Sequence, residues 1–343
     1  MRRIPFVALL GLSLLVLSGC CMQVRVCCKT TRCCPRPARP PAPAPEAEPV
    51  AVAKEPEPAT EALYDGTNGQ PASLMVAADQ WANVDLVAFG EYHGNLVGAK
   101  YQFALLKQMA EQERPVALAM EFFERDTQAV LDRYLAGEVD IETLKEEGRQ
   151  GRDFDKTHRR LIEYCKEHGI PVIAANAPRR LVRAYRKQEA AFDEWKASLP
   201  EADQGWLPEE TSVIEDEYHA KFMKLMGPKR GPSFFRSQSL WDDAMAEAIV
   251  DFRSENPGHR VLLIIGGFHV ENGLGTITKY RMRRGKDEVR VLRMAFSKDP
   301  QLAFEDADLG TGDLVLKVPV PAPRKAVKPA PKPKAKPAEA PRP

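Results

Sequence analysis

Short apolar runs alternate with longer stretches of mixed character along this chain, and several of the runs stop on a polar side chain. VDLVAFG, from Val84, runs into Glu91 and His93; VALAM, from Val116, runs into Glu121; PVIAA, from Pro171, stops at Asn176; VLLIIGG, from Val261, leads to His269. Runs of this length, rich in Val, Ile, Leu and Ala, read as strands of a parallel sheet buried on both faces. Helical spacing fills the gaps, from about Asn95 to Gln112 and again through about Lys166. VRVLRMAF and DLVLKVP are two further strand candidates towards the end of the chain. Between Pro178 and Asn256 there is little strand signal and much amphipathic helix, with Trp195, Trp206, Phe222, Phe235 and Trp241 among its apolar positions. The predicted fold is α/β: a mostly parallel central sheet flanked by helices, with that helical segment as a cap subdomain beside the sheet edge. Ligands of such sheets bind beyond the carboxyl ends of the strands, so the polar strand ends are expected to line one crevice.

The ends of the chain have a different composition. Arg2 and Arg3 precede an apolar stretch from Ile4 to Leu17, short for a bilayer span and flanked as a secretory signal is. Leu17-Ser18-Gly19-Cys20 resembles a bacterial lipobox, which implies cleavage before Cys20, lipidation of its thiol and a membrane-anchored exported protein. Cys21 stands where an inner-membrane retention signal has Asp, so the same resemblance points to the outer membrane, facing the periplasm. Cys21, Cys27, Cys28, Cys33 and Cys34 can pair with one another or with a second chain in an oxidising compartment, and their spacing leaves the pairing open. Cys165, in LIEYCK at helical spacing, reads as a buried structural thiol.

Composition then sets the boundaries. A signal segment over 1–19 is followed by the Cys-rich anchor and Pro-rich linker, 20–60, the α/β domain, 61–320, with its cap at 178–256, and a Pro/Ala/Lys-rich tail, 321–343. Neither Pro-rich segment can bury enough apolar surface to fold. The tail carries seven Lys/Arg against Glu339 alone, so the overall charge of +1 conceals a mildly acidic domain. Such a domain does not suggest nucleic-acid binding.

Glu91 and His93 are two residues apart and point the same way if the chain stays extended, as an acid/base pair, metal ligands or anchors for a polar ligand. The plainer alternative makes Glu91 a helix cap and His93 a partner of buried backbone. Glu121 enters an apolar setting beside Phe122 and Phe123, where a carboxylate either pairs with a cation or has a raised pKa. Asn176 is a site residue or a turn residue, and His269 follows two glycines that allow close backbone approach. His168 and His259, beside Gly169 and Gly258, are expected to be solvent-exposed.

GEYH, AMEFFERD, LDRYLAGE, IPVIAANAPRRL, QSLWDDAMA and GGFHV, in this order, resemble the ChaN family of haem-binding lipoproteins, within the wider Tiki/TraB and erythromycin-esterase-like superfamily. The resemblance covers about residues 80 to 320. It implies haem held between two monomers by a tyrosine ligand, with polar side chains on the propionates. The superfamily motif matches Glu91, His93, Glu121, Asn176, Gln238, Asp242 and His269. This chain departs from it at Gly98, Ala99 and Lys100, where related sequences often have histidines, and in a usually Trp- and Tyr-containing stretch represented by Phe154 and His158. If the iron ligand lies in that stretch, His158 replaces it, with Arg159 and Arg160 suited to propionates; if it lies near the first motif, Tyr92 or Tyr101 is the candidate. The alternative for His158 is a surface position on a charged helix.

The first functional reading is therefore a binding protein, an outer-membrane-anchored haem carrier in haem or iron acquisition, possible as a homodimer. The second is a hydrolase with His93 as general base or metal ligand, Glu91 and Glu121 tuning it, and His269 stabilising charge. No Ser or Cys nucleophile motif stands beside them. A third reading, supported by the departures from the motif, puts function in the cysteine cluster and basic tail.

Overall fold

A computed structural model describes residues 58–321. The lipidation call at Cys20, the signal segment, the cysteine cluster, most of the linker and nearly all of the basic tail lie outside the described residues. The chain runs β1 (Ala62–Asp65), α1 (Leu74–Gln80), β2 (Leu86–Glu91), α2 (Leu96–Ala110), β3 (Val116–Glu124), α3 (Gln128–Leu135), α4 (Ile141–Glu147), α5 (Arg159–His168) and β4 (Val172–Asn176). It continues with α6 (Arg179–Tyr185), α7 (Phe192–Ala197), α8 (Glu201–Gln204), α9 (Glu217–Met226), α10 (Gly231–Glu255), β5 (Arg260–Gly266), α11 (Thr276–Arg283), β6 (Val289–Ser297) and β7 (Leu314–Pro319).

The strands form one seven-stranded sheet in the order β1-β7-β6-β2-β5-β3-β4, parallel throughout except for the antiparallel edge pair β1/β7. All six strand candidates are strands. β1 escaped notice because it has four residues and no sustained alternation. β2, β5, β3 and β4 are consecutive neighbours, so the four polar ends do meet at one edge.

Period-two alternation divides the sheet's side chains between two cores. Val87, Phe89, Leu118, Met120, Leu262 and Ile264 pack under α1 to α5, whereas Leu86, Ala88, Ala117, Ala119, Leu263 and Ile265 face α10 and α11. Alanines on the second face let α10 approach closely through Met245, Ala246 and Ile249. The long helix therefore belongs to the layer covering the sheet as well as to the helical segment above its edge. Cys165 is buried and free, and burial raises its pKa.

Arg260, at the start of β5, is fully buried and has no carboxylate partner among the described residues. Its guanidinium donates to Met109 O (2.6 Å), Gln112 Oε1 (2.6 Å) and Ala82 O (3.1 Å), collecting carbonyls at the carboxyl ends of α1 and α2. Burial, with the charge of Arg114, lowers its pKa to about 10, so it stays charged at neutral pH. Cations are favoured at helix carboxyl ends, where carbonyls lack intrahelical donors. Arg260→Met should lower the unfolding free energy by roughly 3 kcal/mol, measured by denaturant unfolding of the full chain, because it orphans several buried acceptors at once.

Candidate functional site

Glu91 ends β2 with 5% of its surface exposed. Its Oε1 stands 3.1 Å from His93 Nδ1, and its Oε2 accepts from Gln102 Nε2 at 2.6 Å and lies 3.0 Å from His158 Nε2. Burial pushes the carboxyl pKa up from its usual 4.5, but the hydrogen bonds to His158 and His93 outweigh burial and hold it at about 2. Glu91 does not cap α2: Asn95 does, its Oδ1 accepting from Gly98 N at 2.9 Å. Gly94, at φ 77°, turns the chain between the two.

His93 carries its ring into solvent, with 63% of the side chain exposed and the Phe122 ring edge-on at 5.3 Å. Its hydrogen bond to Glu91 raises the imidazole pKa above 6.5 against partial desolvation, and the charge of Glu121 adds to the rise. A Cβ on Gly266 would stand 3.2 Å from His93 Cε1 and 3.3 Å from Glu121 Oε2, so a glycine at the end of β5 leaves room for both groups. Glu121 lies where β3 bulges away from β4, between the pairs Met120/Ala174 and Glu124/Asn176. The β3 strand thus continues three residues beyond the Glu121 at which its apolar run stops. Glu121 Oε2 accepts from Gly266 N at 2.6 Å, and Oε1 is 3.9 Å from His269 Nε2.

His269, in the 3-10 turn after β5, forms a second carboxylate-backed imidazole. Its Nδ1 is 2.6 Å from Asp242 Oδ1; Thr276 Oγ1 donates to the same oxygen at 2.6 Å, and Tyr218 OH donates to Oδ2 at 2.9 Å. Gln238 Nε2 donates to Tyr218 OH at 2.7 Å and lies 3.1 Å from His269 Nδ1. Burial lowers the His269 pKa, but the charge and hydrogen bond of Asp242 outweigh it and raise the value to about 9. Asn176 is the buried last residue of β4 rather than a turn residue, its Nδ2 donating to Glu121 O at 3.2 Å.

His158 is buried, not on the surface, and its ring lies against Phe122 with centroids 4.0 Å apart. It precedes α5 at the point where the chain turns inward, so the charges on Arg159 and Arg160 say nothing about its own direction. Tyr92 points away from His93 and stacks on Phe296 at 3.8 Å, and Tyr101 packs against the core under α2. Gly98 has a packing reason: a Cβ there would meet Met294 Sδ at 2.5 Å. His168 is exposed and His259 half-buried.

Two cavities flank His93. One, of about 240 Å³, is lined by Glu91, Phe122, Phe154 and His158 with Arg149, Arg152 and Arg179 at its side. The other, of about 410 Å³, reaches Glu121, Asn176 and His269 under Ser237 and Trp241 of α10 and the arginines of α6. Tyr92 and Tyr101 line neither. Among the described residues no three His, Cys, Asp or Glu side chains are grouped to hold a metal ion. Gln102, Tyr218 and Thr276 were missed from the sequence. Only Gln102 left a signal, as a polar residue on the buried stripe Gly98, Leu105, Leu106 and Met109 of α2.

The family model described as "Haem-binding uptake, Tiki superfamily, ChaN" matches residues 77–279. The chain belongs to this family. The solved structure titled "Cofacial heme binding to ChaN of Campylobacter jejuni" shares the fold, with a TM-score of 0.54 at 15% identity over 75% of this chain and 96% of that one. An erythromycin esterase, EreC in its open conformation, aligns with a TM-score of 0.42 at 11% identity, over 68% of this chain and 77% of its own. Protein RETICULATA-RELATED 5, chloroplastic, of Arabidopsis thaliana is 25% identical over 181 residues, 49% of this chain; the match spans only 24% of that protein's length.

Within this ChaN-family site the two shifted groups make stability depend on pH in opposite directions. Glu91 titrates lower in the folded state, so its contribution is present above pH 4.5 and is lost as pH falls towards about 2. His269 titrates higher, so its contribution is complete below pH 6.5 and is lost as pH rises through about 9. Each shift is worth about 3 kcal/mol. Denaturant unfolding across pH should show Glu91→Gln flattening the acid limb and His269→Gln the alkaline limb.

Proposed function

We propose that this protein is an outer-membrane-anchored haem-binding lipoprotein acting in haem or iron acquisition, with Cys20 as its lipidation site and His93 as the side chain that meets the iron. The observation that carries this reading is the state of His93. Its Nδ1 is engaged by a buried carboxylate while the rest of the ring opens between two cavities. A ligating imidazole needs such an outer partner to fix its tautomer and orientation. His158, by contrast, spends Nε2 on Glu91, and Tyr92 and Tyr101 line neither cavity.

The neighbouring residues fit the group. Phe122 and Phe154 would offer apolar walls, and Arg149, Arg152 and Arg179 would supply cations for the propionates. Bound haem would supply a redox-active iron. A cavity of about 240 Å³ is too small to enclose a porphyrin, so most of the plate would remain to be covered, and a second copy of the chain is the partner we assign. Haem titration of the purified full chain should give a saturable Soret band that His93→Ala abolishes or strongly shifts. Tyr92→Phe and Tyr101→Phe should leave it unchanged, and Glu91→Gln should weaken binding about 10- to 100-fold. Because His93 must lose its proton to ligate and its pKa is raised, affinity should increase as pH rises above 6.5. No Soret shift at any pH sinks the reading.

A second reading, hydrolysis, is favoured by one feature: His93–Glu91 and His269–Asp242 are both carboxylate-backed imidazoles, on either side of Glu121. In it His93 takes a proton from water and His269, protonated at neutral pH, stabilises developing negative charge. A panel of ester and peptide substrates, run with and without divalent ions, should then show turnover that His93→Ala lowers by about 100-fold or more. Turnover that persists in that variant, or none at all, removes it.

A further inference from the structure

We propose that the turn between α9 and α10 docks the protein on a membrane, with Leu225 entering an anionic bilayer among its lipid headgroups. Tyr218, Phe222, Leu225 and Met226 recur along α9 at the spacing of a single apolar stripe. Tyr218 and Phe222 are 6% and 7% exposed and cluster with Phe235. Leu225 continues their stripe, yet it is 71% exposed, more than any other large apolar side chain among the described residues. The stripe thus runs out from under the domain. Met226 and Phe234, both half-buried against the same cluster, border its uncovered end.

The backbone of this tip makes few demands on water. Gly227, at φ 74°, ends α9, and its N–H donates to Met223 O at 2.9 Å; the Gly231 N–H donates to Gly227 O at 2.8 Å. Pro228 and Pro232, both exposed, have no N–H to satisfy. A Cβ on Gly231 would stand 2.6 Å from Met223 Sδ, so α10 starts in close contact with α9. A segment that enters the lipid boundary needs its polar backbone groups satisfied internally in this way.

The charge around it has one sign. From Tyr218 to Trp241 the chain holds five Lys/Arg and neither Asp nor Glu. Lys221 is paired with Glu271, and Arg236 donates to the carbonyls of Gln188 and Ala190. Lys224, Lys229 and Arg230 are exposed and have no ion pair or side-chain hydrogen bond among the described residues. They flank Leu225 in the chain on both sides, so the cations and the apolar group face the same partner.

Charge and size choose that partner. One exposed leucine bordered by two half-buried side chains falls well short of the about 800 Å² per partner that a stable protein interface buries. For a bilayer the same residues suffice: the leucine passes the headgroups, while lysine and arginine stems lie along the apolar boundary and keep their charges at the phosphates. Each cation beside an anionic bilayer is worth about fivefold in binding. Arg186, 4.2 Å from the Phe234 ring, also lines the larger cavity, so a docked tip brings the mouth of that cavity towards the lipid.

Docking requires neither haem nor an acyl anchor. Vesicle sedimentation of the haem-free full chain carrying Cys20→Ser, which leaves no thiol there to lipidate, tests it on two bilayers: equimolar phosphatidylethanolamine and phosphatidylglycerol, and phosphatidylcholine alone. Binding to the anionic vesicles should be about tenfold or more tighter and should weaken with added salt. Lys229→Gln with Arg230→Gln should weaken it by about tenfold or more, and Leu225→Ser by about tenfold, with the denaturant midpoint unchanged because all three side chains are exposed. Lys334→Gln with Lys336→Gln removes the same charge from the basic tail and should have a smaller effect. Leu225→Trp should keep the binding and gain fluorescence quenching by brominated lipid over that of the parent. The proposal is overturned if the two bilayers bind equally, if Leu225→Ser binds as the parent does, if the tail pair matters as much as the tip pair, or if Leu225→Trp gains no quenching. Self-association without vesicles that Leu225→Ser abolishes would give the tip to a second copy instead and overturn it as well.

Discussion

A single buried carboxylate organises the edge of this sheet. Glu91 is withdrawn from water at the end of β2 and remains ionised because side chains from three other parts of the chain converge on it. Gln102 comes from α2, His158 from the turn before α5, and His93 from the loop leaving β2 itself. A buried charge is tolerated only when its lone pairs are filled, so the carboxylate fixes the positions of all three. His93 is the one that reaches solvent, and its orientation is a direct consequence of that burial.

Asp242 repeats the device from the other side of the sheet edge, with Thr276, Tyr218 and His269 around it. The helix that carries it, α10, has three working faces. Met245, Ala246 and Ile249 seal the sheet, Gln238 and Asp242 enter the polar network, and Ser237 and Trp241 roof the larger cavity. The two imidazoles thus differ in kind: His269 is enclosed and holds its proton, while His93 is open to whatever enters the cavities. A fold that presents both beside Glu121 suits ligand capture or proton transfer, and family membership favours the former.

Much of this was legible in the linear order of residues. Buried parallel strands need uninterrupted apolar runs, and the abrupt polar residues at their ends marked the crevice. Gly98 is a departure from related sequences with a steric cause, the sulfur of Met294 on β6. The positions left open share one property: their environment is set by residues distant in sequence. His158 was open to a surface reading because its neighbours are arginines, yet its partner lies 67 positions earlier in the chain. Asn176 was open to a turn reading because Pro178 follows, yet the strand carries through it into the interior.

The sequence by itself determined the layers, the parallel strands and the list of polar residues at their ends, because periodicity and burial are properties of local runs. Which histidine would be pinned, which protonated and which left open was decided only by the tertiary structure. Those states depend on the distance from each ring to a carboxylate on another element, and on how much water folding removes from around the pair. The same holds for the larger cavity. Asn176, Ser237, Trp241 and Arg183 are ordinary residues in the chain, and only the packing of α6 and α10 over the ends of β3, β4 and β5 sets them around a common space.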